Sequence, residues 1–259
     1  MNIVVCVKQV PDTWAERKLK PGDATLDRES VDGLINELDE YAIEEALQIK
    51  EAHGGEVTVL TMGPEKATES IRKALSMGAD KAVHLIDDAL AGSDVLQTSY
   101  ALAQVLGSIG FDLVVLGAES TDARMGAMAA MLAERLGVPQ LSLASKVEID
   151  GTAVTIHRQS EDGYWKVAGD LPAVVSVVEK INEPRYPSFK GIMAAKKKPM
   201  QVMSLADAGI DPSLVGLANA ATEVVDFAER PPRQSGTIVK DEGDGGGKAA
   251  EFLAVSKFI

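Results

Sequence analysis

The chain has one cysteine, Cys6, among 259 residues, so no disulfide can form within it. Its three histidines, His53, His84 and His157, stand far apart and give neither a CxxC nor a metal-ligand spacing. Positive charge is also scarce, with 26 Lys and Arg against 39 Asp and Glu for a formal net charge of −13. That balance argues against sequence-independent nucleic-acid binding, which needs basic surface to displace counterions. Long apolar runs are absent: Pro172 to Val178 is among the longest and is far too short to span a bilayer, so no membrane insertion is expected. The first ten residues, MNIVVCVKQV, lack a basic n-region and a cleavage site, and a reducing, cytoplasmic setting is the expectation.

Catalytic fingerprints are missing as well. No GxGxxG follows the first strand-like run, there is no Walker A, and GDGGGKA at 243–249 has the wrong spacing for a phosphate loop. No Ser, His and Asp share a recognisable elbow. Glu44-Glu45 and Asp87-Asp88 read as solvated pairs on a helix and a loop.

What is present is an alternation. IVVCVKQV (3–10), EVTVLTMG (56–63), KAVHLID (81–87) and FDLVVLG (111–117) are nearly continuous β-branched and Leu runs, the pattern of strands covered on both faces. Between them, Ala42, Ile43, Ala46 and Leu47 recur at helical spacing before the stop at Gly54-Gly55, and 65–78 and 93–110 repeat the pattern. Strand–helix alternation predicts an α/β fold with a doubly wound, mostly parallel sheet of Rossmann-like type. After Gly137-Val138-Pro139, Asp150-Gly151 between two alternating runs predicts a β-hairpin extension, and 170–181 a further strand. The domain reading is an α/β nucleotide-binding domain over 1–210 and an extended C-terminal arm over 211–259. In that arm 242–248 reads as linker, while Phe252, Leu253, Val255, Phe258 and Ile259 favour docking of its end.

Ligands of such sheets bind beyond the carboxyl ends of the strands, here Lys8 to Thr13, Met62 to Pro64 and Gly117 to Asp122. In the last of these, Ser120, Thr121, Asp122 and then Gly126 precede an Ala-rich helix. The stretch admits two readings, an anion site built from backbone N–H groups and hydroxyls, or plain helix capping, which is the simpler of the two. Met125, Met128 and Met131 read as core packing. A nucleotide crevice without catalytic machinery points to binding or electron transfer.

One segment stands out against the acidic background: EPRYPSFKGIMAAKKKPM (183–200) gathers Arg185, Lys190 and Lys196 to Lys198 behind Pro187-Ser188-Phe189. Alone, the lysines read as a solvated helix end. With VKQVPDT (7–13), INELDEYAIEEALQIKE (35–51), LSMGADKAVHL (75–85), VVLGAESTD (114–122), DLPAVVSV (170–177) and, weakly, PPRQSGTIV (231–239), the segment resembles the β subunit of electron-transfer flavoprotein.

The resemblance implies a heterodimer with an α subunit that holds most of a FAD, and an AMP of structural role buried in the β subunit. It places Cys6, Asn36, Glu37, Leu38, Asp39, Met62, Gly117, Ser120, Thr121, Asp122, Gly126, Ala127 and Met128 at the AMP, with Thr13 and Leu38 facing the flavin. It implies electrons taken from acyl-CoA dehydrogenases and passed to an electron-transfer flavoprotein quinone oxidoreductase. Residues 183–200 would be a recognition loop, with Phe189 as apolar anchor and Lys190, Ile192, Met193, Lys196, Lys197 and Lys198 around it. Two departures are visible: Met125-Gly126-Ala127-Met128 replaces a Thr-Gly-Gln type turn, and Tyr164-Trp165 falls where a Gly-Gly-x-Glu stretch is usual. The alternatives are an electron-bifurcating form with a second FAD in place of AMP, and a stand-alone adenine-nucleotide-binding regulatory protein.

Overall fold

The computed structural model describes residues 1–229, 231–232, 236 and 238–259; Arg233, Gln234, Ser235 and Thr237 of the weak 231–239 match lie outside the described residues. In chain order the elements are β1 (Asn2–Cys6), β2 (Gln9–Pro11), β3 (Gly33–Ile35), α1 (Glu37–His53), β4 (Glu56–Met62), α2 (Thr68–Met77), β5 (Lys81–Leu85), α3 (Val95–Ile109) and β6 (Leu113–Gly117). They continue with α4 (Met128–Leu136), β7 (Gln140–Asp150), β8 (Ala153–Ser160), β9 (Gly163–Asp170), β10 (Ala173–Val177), α5 (Phe189–Ala195), β11 (Met200–Met203) and α6 (Gly245–Val255). Nine strands form one sheet in the order β11-β5-β4-β1-β6-β10-β7-β8-β9, parallel from β11 through β7 and antiparallel in β7-β8-β9.

The central strands are mostly apolar because both faces are covered. In β1, Ile3 and Val5 join Ile43, Leu47, Ile71 and Leu75 in the layer under α1 and α2. Val4 and Cys6 join Leu102, Val105, Leu106 and Leu132 in the layer under α3 and α4. Each such side chain, fully buried, contributes about 1.5–3 kcal/mol, which makes this doubly covered strip the stable part of the molecule.

Local signals set the helix limits. Acidic Glu37, Asp39 and Glu40 occupy the first turn of α1 and Lys50 and His53 its last, both favourable to the helix dipole. Asp94 and Gln97 form a reciprocal capping box at the start of α3. Gly137 ends α4 in the left-handed region at φ 66°.

Several expectations are corrected. The run 3–10 breaks after Cys6, and β2 pairs with β3 in a separate two-stranded antiparallel ribbon. The break coincides with the Lys8 N–H, which donates to Asp39 Oδ2 at 2.8 Å. The hairpin at Asp150-Gly151 acquires a third strand, β9, and the short edge strand β11 pairs with β5. Met125 is exposed, while Met128 packs against the α3/α4 layer. Residues 211–223 are not part of an arm: Gly216 N–H donates to Ser93 Oγ, and Ala221 and Thr222 donate to the Asp94 carboxylate. The compact unit accordingly runs from Met1 to Glu223, and Val224–Ile259 forms a second. Within the latter, the glycine-rich stretch read as linker is helical from Gly245, and Phe252, Val255, Phe258 and Ile259 are exposed. Among the described residues no helix is long and apolar enough to cross a membrane, and no cluster of His, Cys, Asp and Glu could hold a metal ion.

Candidate functional site

The carboxyl ends of β1 and β6 lie side by side, and the first turn of α1 closes over them. Closure requires Gly117: a Cβ there would meet Asp39 Oδ1 at 2.6 Å and Leu38 Cβ at 2.7 Å. The approach delivers the buried Asp39 carboxylate to three N–H donors, Lys8 N at 2.8 Å, Asn36 Nδ2 at 3.0 Å and Gly117 N at 3.2 Å. Asn36, itself buried, also donates to the Glu119 carbonyl at 3.0 Å and accepts from the Thr121 N–H at 3.0 Å. One amide thus ties the start of α1 to the loop after β6.

Electrostatics follow from burial. Removal from water pushes Asp39 up to about 6, even though the three donors and the Lys8 charge favour its ionised form. Burial, with the Asp39 charge beside it, pushes the Cys6 thiol up to about 12. Cys6 therefore stays a thiol and packs as a small hydrophobe.

The loop after β6 carries a second buried carboxylate, Asp122, whose side chain is 1% exposed. Lys8 Nζ meets its Oδ1 at 2.8 Å and Arg28 Nη2 its Oδ2 at 2.6 Å. Burial raises the Asp122 pKa, but the charge and hydrogen bond of Lys8, the Ser120 hydroxyl and the Arg28 charge outweigh it and hold the carboxyl well below the usual range. Thr121 Oγ1 is buried with no hydrogen-bond partner among the described residues. The capping reading of Ser120 to Asp122 is corrected here: α4 starts at Met128 after Ala127, with no side-chain cap, and these residues belong to the loop.

Of the residues expected at a nucleotide, Cys6, Asn36, Asp39, Gly117, Ser120, Thr121 and Asp122 fall into this knot with Leu38 against it. Gly126 (φ 63°), Ala127 and Met128 form the approach to α4, Met62 ends β4 half-buried, and Glu37 and Thr13 are exposed. Sequence reasoning missed Lys8 and Arg28 as members of the knot. Lys8 was marked only by its place after the first strand; Arg28, in the loop between β2 and β3, carried no signal.

In the 183–200 segment Arg185 is turned inward, while large apolar side chains face outward. Arg185 reaches Glu44 through its backbone N–H at 3.1 Å, Nε at 2.7 Å and Nη2 at 3.0 Å, and Glu51 through Nη1 at 2.6 Å. Asn182 Nδ2 donates to the Tyr41 carbonyl and to Glu45, each at 3.1 Å. The reading of Glu44-Glu45 as a solvated pair is thereby overturned, because both are buried on the α1 face that carries this segment. Burial raises Glu44, the Arg185 hydrogen bonds more than offset it, and the net shift is downward. Glu45, with Asn182 and no cation, is shifted upward by burial.

Beyond Arg185, the Ser188 side chain caps α5 by accepting the Gly191 N–H at 3.1 Å. Gly191 lets α5 touch α2, since a Cβ would lie 2.5 Å from the Ser76 carbonyl. Two cations then lock the helices end to end: Arg72 Nη1 donates to the Ala195 carbonyl at 2.7 Å, and Lys198 Nζ to the Leu75 and Ala79 carbonyls at 2.9 and 2.5 Å. Of the cations in the segment, Arg185 and Lys198 are therefore structural, and Lys190, Lys196 and Lys197 face water. On this braced base Tyr186 is 96% and Phe189 79% exposed, with Ile192 and Met193 about half exposed beside them. These four side chains form an exposed apolar patch on a braced base.

Comparison with known proteins identifies the family. The model of the electron transfer flavoprotein domain family matches residues 23–208. The electron transfer flavoprotein subunit beta of Mycobacterium tuberculosis is 55% identical over 264 aligned positions, covering 100% of this chain and 99% of that protein. The corresponding subunit of Megasphaera elsdenii is 36% identical over 94% of this chain and 93% of that protein. The caffeyl-CoA reductase-Etf complex subunit CarD of Acetobacterium woodii is 37% identical over 92% of each.

Proposed function

The chain belongs to the electron transfer flavoprotein β subunits, and from that premise we propose a division of labour between its two regions. The strand-end crevice binds AMP as a structural ligand and, through Thr13 and Leu38, forms one wall of a FAD held mainly by the α partner. The flavin supplies the redox chemistry when bound. This chain's residues bind, orient and dock, and none of them is asked to make or break a bond. The observation that carries the reading is the knot of Asn36, Asp39 and Asp122 at the ends of β1 and β6, where Lys8 and Arg28 converge on Asp122 and the buried Thr121 hydroxyl has no hydrogen-bond partner among the described residues. Such a loop fits a nucleotide phosphate.

The braced patch around Phe189 docks acyl-CoA-type dehydrogenases, its aromatic anchor supplying buried area while Lys190, Lys196 and Lys197 steer an acidic partner. Electrons would leave toward a quinone-linked oxidoreductase in the cytoplasm. The apolar residues of α6 and beyond, exposed in this chain, suit contact with the α subunit. The test is co-purification with the α subunit from the native source, followed by nucleotide extraction and chromatography. One FAD and one AMP per heterodimer are expected. Two FAD and no AMP would replace this reading by the electron-bifurcating form, toward which the printed name of the Acetobacterium woodii relative points. An isolated chain that binds an adenine nucleotide and never associates with an α subunit would favour the regulatory-protein alternative.

A further inference from the structure

Of the three histidines only His84 is fully buried, and it takes no part in the knot or the patch. It lies on β5, where its Nε2 stands 2.9 Å from the Gly63 carbonyl, an oxygen that can only accept. Nε2 therefore carries a proton, and Nδ1 of the neutral ring is left as an acceptor. That Nδ1 is buried without a hydrogen-bond partner among the described residues. Two more buried atoms share the condition, Thr61 Oγ1 on β4 and Ser70 Oγ in the first turn of α2. Their residues are shut off from solvent, Thr61 at 0% and Ser70 at 3% exposure.

Topology brings the three to one layer. Thr61 and His84 are register partners on adjacent parallel strands. Alternation sends both to the face under α1 and α2: Val57, Val59 and Ala82, two or four residues away, pack there, while Leu60, Val83 and Leu85 pack under α3 and α4. Helix α2 follows β4 and covers both strands. Its approach is held over the strand ends, since a Cβ on Gly63 would lie 3.3 Å from Ala67 Cβ. Ser70, a turn beyond Ala67 and beside the core residue Ile71, lies over the same corner. A ring nitrogen and two hydroxyls thus share an otherwise apolar layer without bonding one another. Polar groups left unpaired in a core are costly, and ordering one water that pairs several of them costs less.

We propose that His84 Nδ1, Thr61 Oγ1 and Ser70 Oγ together bind one internal water between the sheet and α2. The hydrogen bonds balance: the water donates to Nδ1 and accepts from the two hydroxyls, about the number of bonds usual for a buried water. The consequence is positional. By donating to Nδ1 the water keeps the ring proton on Nε2, and that proton holds the Gly63 carbonyl. Gly63 belongs to the turn that leaves β4, so a solvent molecule inside the core fixes where this strand end stops.

The test uses the full chain in complex with its α subunit. A crystal structure that resolves ordered waters should show one molecule within hydrogen-bond distance of all three atoms. Independently, nitrogen-15 labelling of the histidines of this chain alone should give His84 as the tautomer protonated at Nε2, identified by the signal that His84→Gln removes. Thr61→Val keeps the side-chain shape and deletes the hydroxyl, so the sign of its effect is diagnostic. A hydroxyl bonded to the water predicts a melting temperature lower by about 2–6 °C, whereas a hydroxyl stranded in a dry core predicts a rise. Ser70→Ala should also lower it, and the double variant should lose less than the sum, because both changes remove a partner of one molecule. Should either variant fail to fold, the wild-type density and tautomer still decide. A higher melting temperature for Thr61→Val, a ring protonated at Nδ1 alone, or density in which Thr61 bonds His84 directly with no water between them would each overturn the inference. None of these measurements reads nucleotide or dehydrogenase binding, so their failure would leave the proposed function untouched.

Discussion

Helix α1 carries one buried carboxylate into the crevice and another under the exposed apolar patch, and the two are stabilised by different means. Asp39 at its first turn is surrounded by neutral N–H dipoles, and its pKa ends above the normal value. Glu44, farther along, receives a guanidinium, and its pKa ends below. Dipoles offset only part of the cost of removing a carboxylate from water, while a full opposite charge with several hydrogen bonds more than covers it. The crevice is therefore built around an acid whose pKa is raised to about 6. The patch is built around a permanent ion pair, a fixed mount for apolar side chains.

Removing Arg185 should break the contrast most severely. Arg185→Ala leaves Glu44 buried without its cation, and a loss of about 3 kcal/mol is expected, toward the low end for a broken buried pair because the arginine is partly exposed. Urea unfolding would read this directly. A variant as stable as wild type would mean that Glu44 finds water instead.

The sharper version is a pH profile, because the two acids contribute with opposite sign. Asp39 has a folded pKa near 6 against 3.8 when unfolded. Its contribution is fully present below about pH 4 and is lost as pH rises through 6, with an amplitude of roughly 2–3 kcal/mol. Glu44, shifted downward, contributes above its ordinary range near 4.5 and loses that contribution as pH falls. Subtracting the stability of Asp39→Asn from that of wild type between pH 4.5 and 7 should give a difference that falls with pH. The same subtraction for Glu44→Gln should rise or stay level. Parallel profiles would erase the distinction between the two burials.

The smallest effect on the fold is expected at the patch surface. Phe189→Ala should change stability by less than about 0.5 kcal/mol, since the residue is 79% exposed. It should cost about 2 kcal/mol, roughly thirtyfold, in dehydrogenase affinity measured by flavin reduction at subsaturating protein. Unchanged reduction would leave the patch without the role proposed for it.

Much of the sheet was readable because parallel strands covered on both faces are dominated by apolar residues, as in 56–63 and 111–117. The hairpin at Asp150-Gly151 was readable from its turn residues. Strand β11 was not: it is four residues long with Gln201 and Val202 exposed, so neither an apolar run nor alternation marks it. The crevice was legible only in outline. Asn36, Asp39 and the 117–128 loop stood at strand ends and matched a family pattern, but the partners that give them their chemistry are remote, with Arg28 and Asp122 94 residues apart and Arg185 and Glu44 141. No local spacing encodes such pairs. The acidity of Glu44-Glu45 pointed outward by composition, and only the arrival of Asn182 and Arg185 makes their burial tolerable.

Strand order carries a consequence for synthesis. β10 lies between β6 and β7 in space but follows both in the chain. As the polypeptide leaves the ribosome, β1, β4, β5 and β6 can zip into a parallel core in sequence, with one flank at β6 left as an open edge. The next strands to emerge, β7, β8 and β9, are joined by tight turns and pair with one another, forming a meander with no seat on that edge. Only when Ala173–Val177 appears can a single strand bond β6 on one side and β7 on the other, splicing two separately formed pieces. Until then the nascent chain carries an unpaired apolar strand edge, the feature that chaperones cover and aggregates exploit.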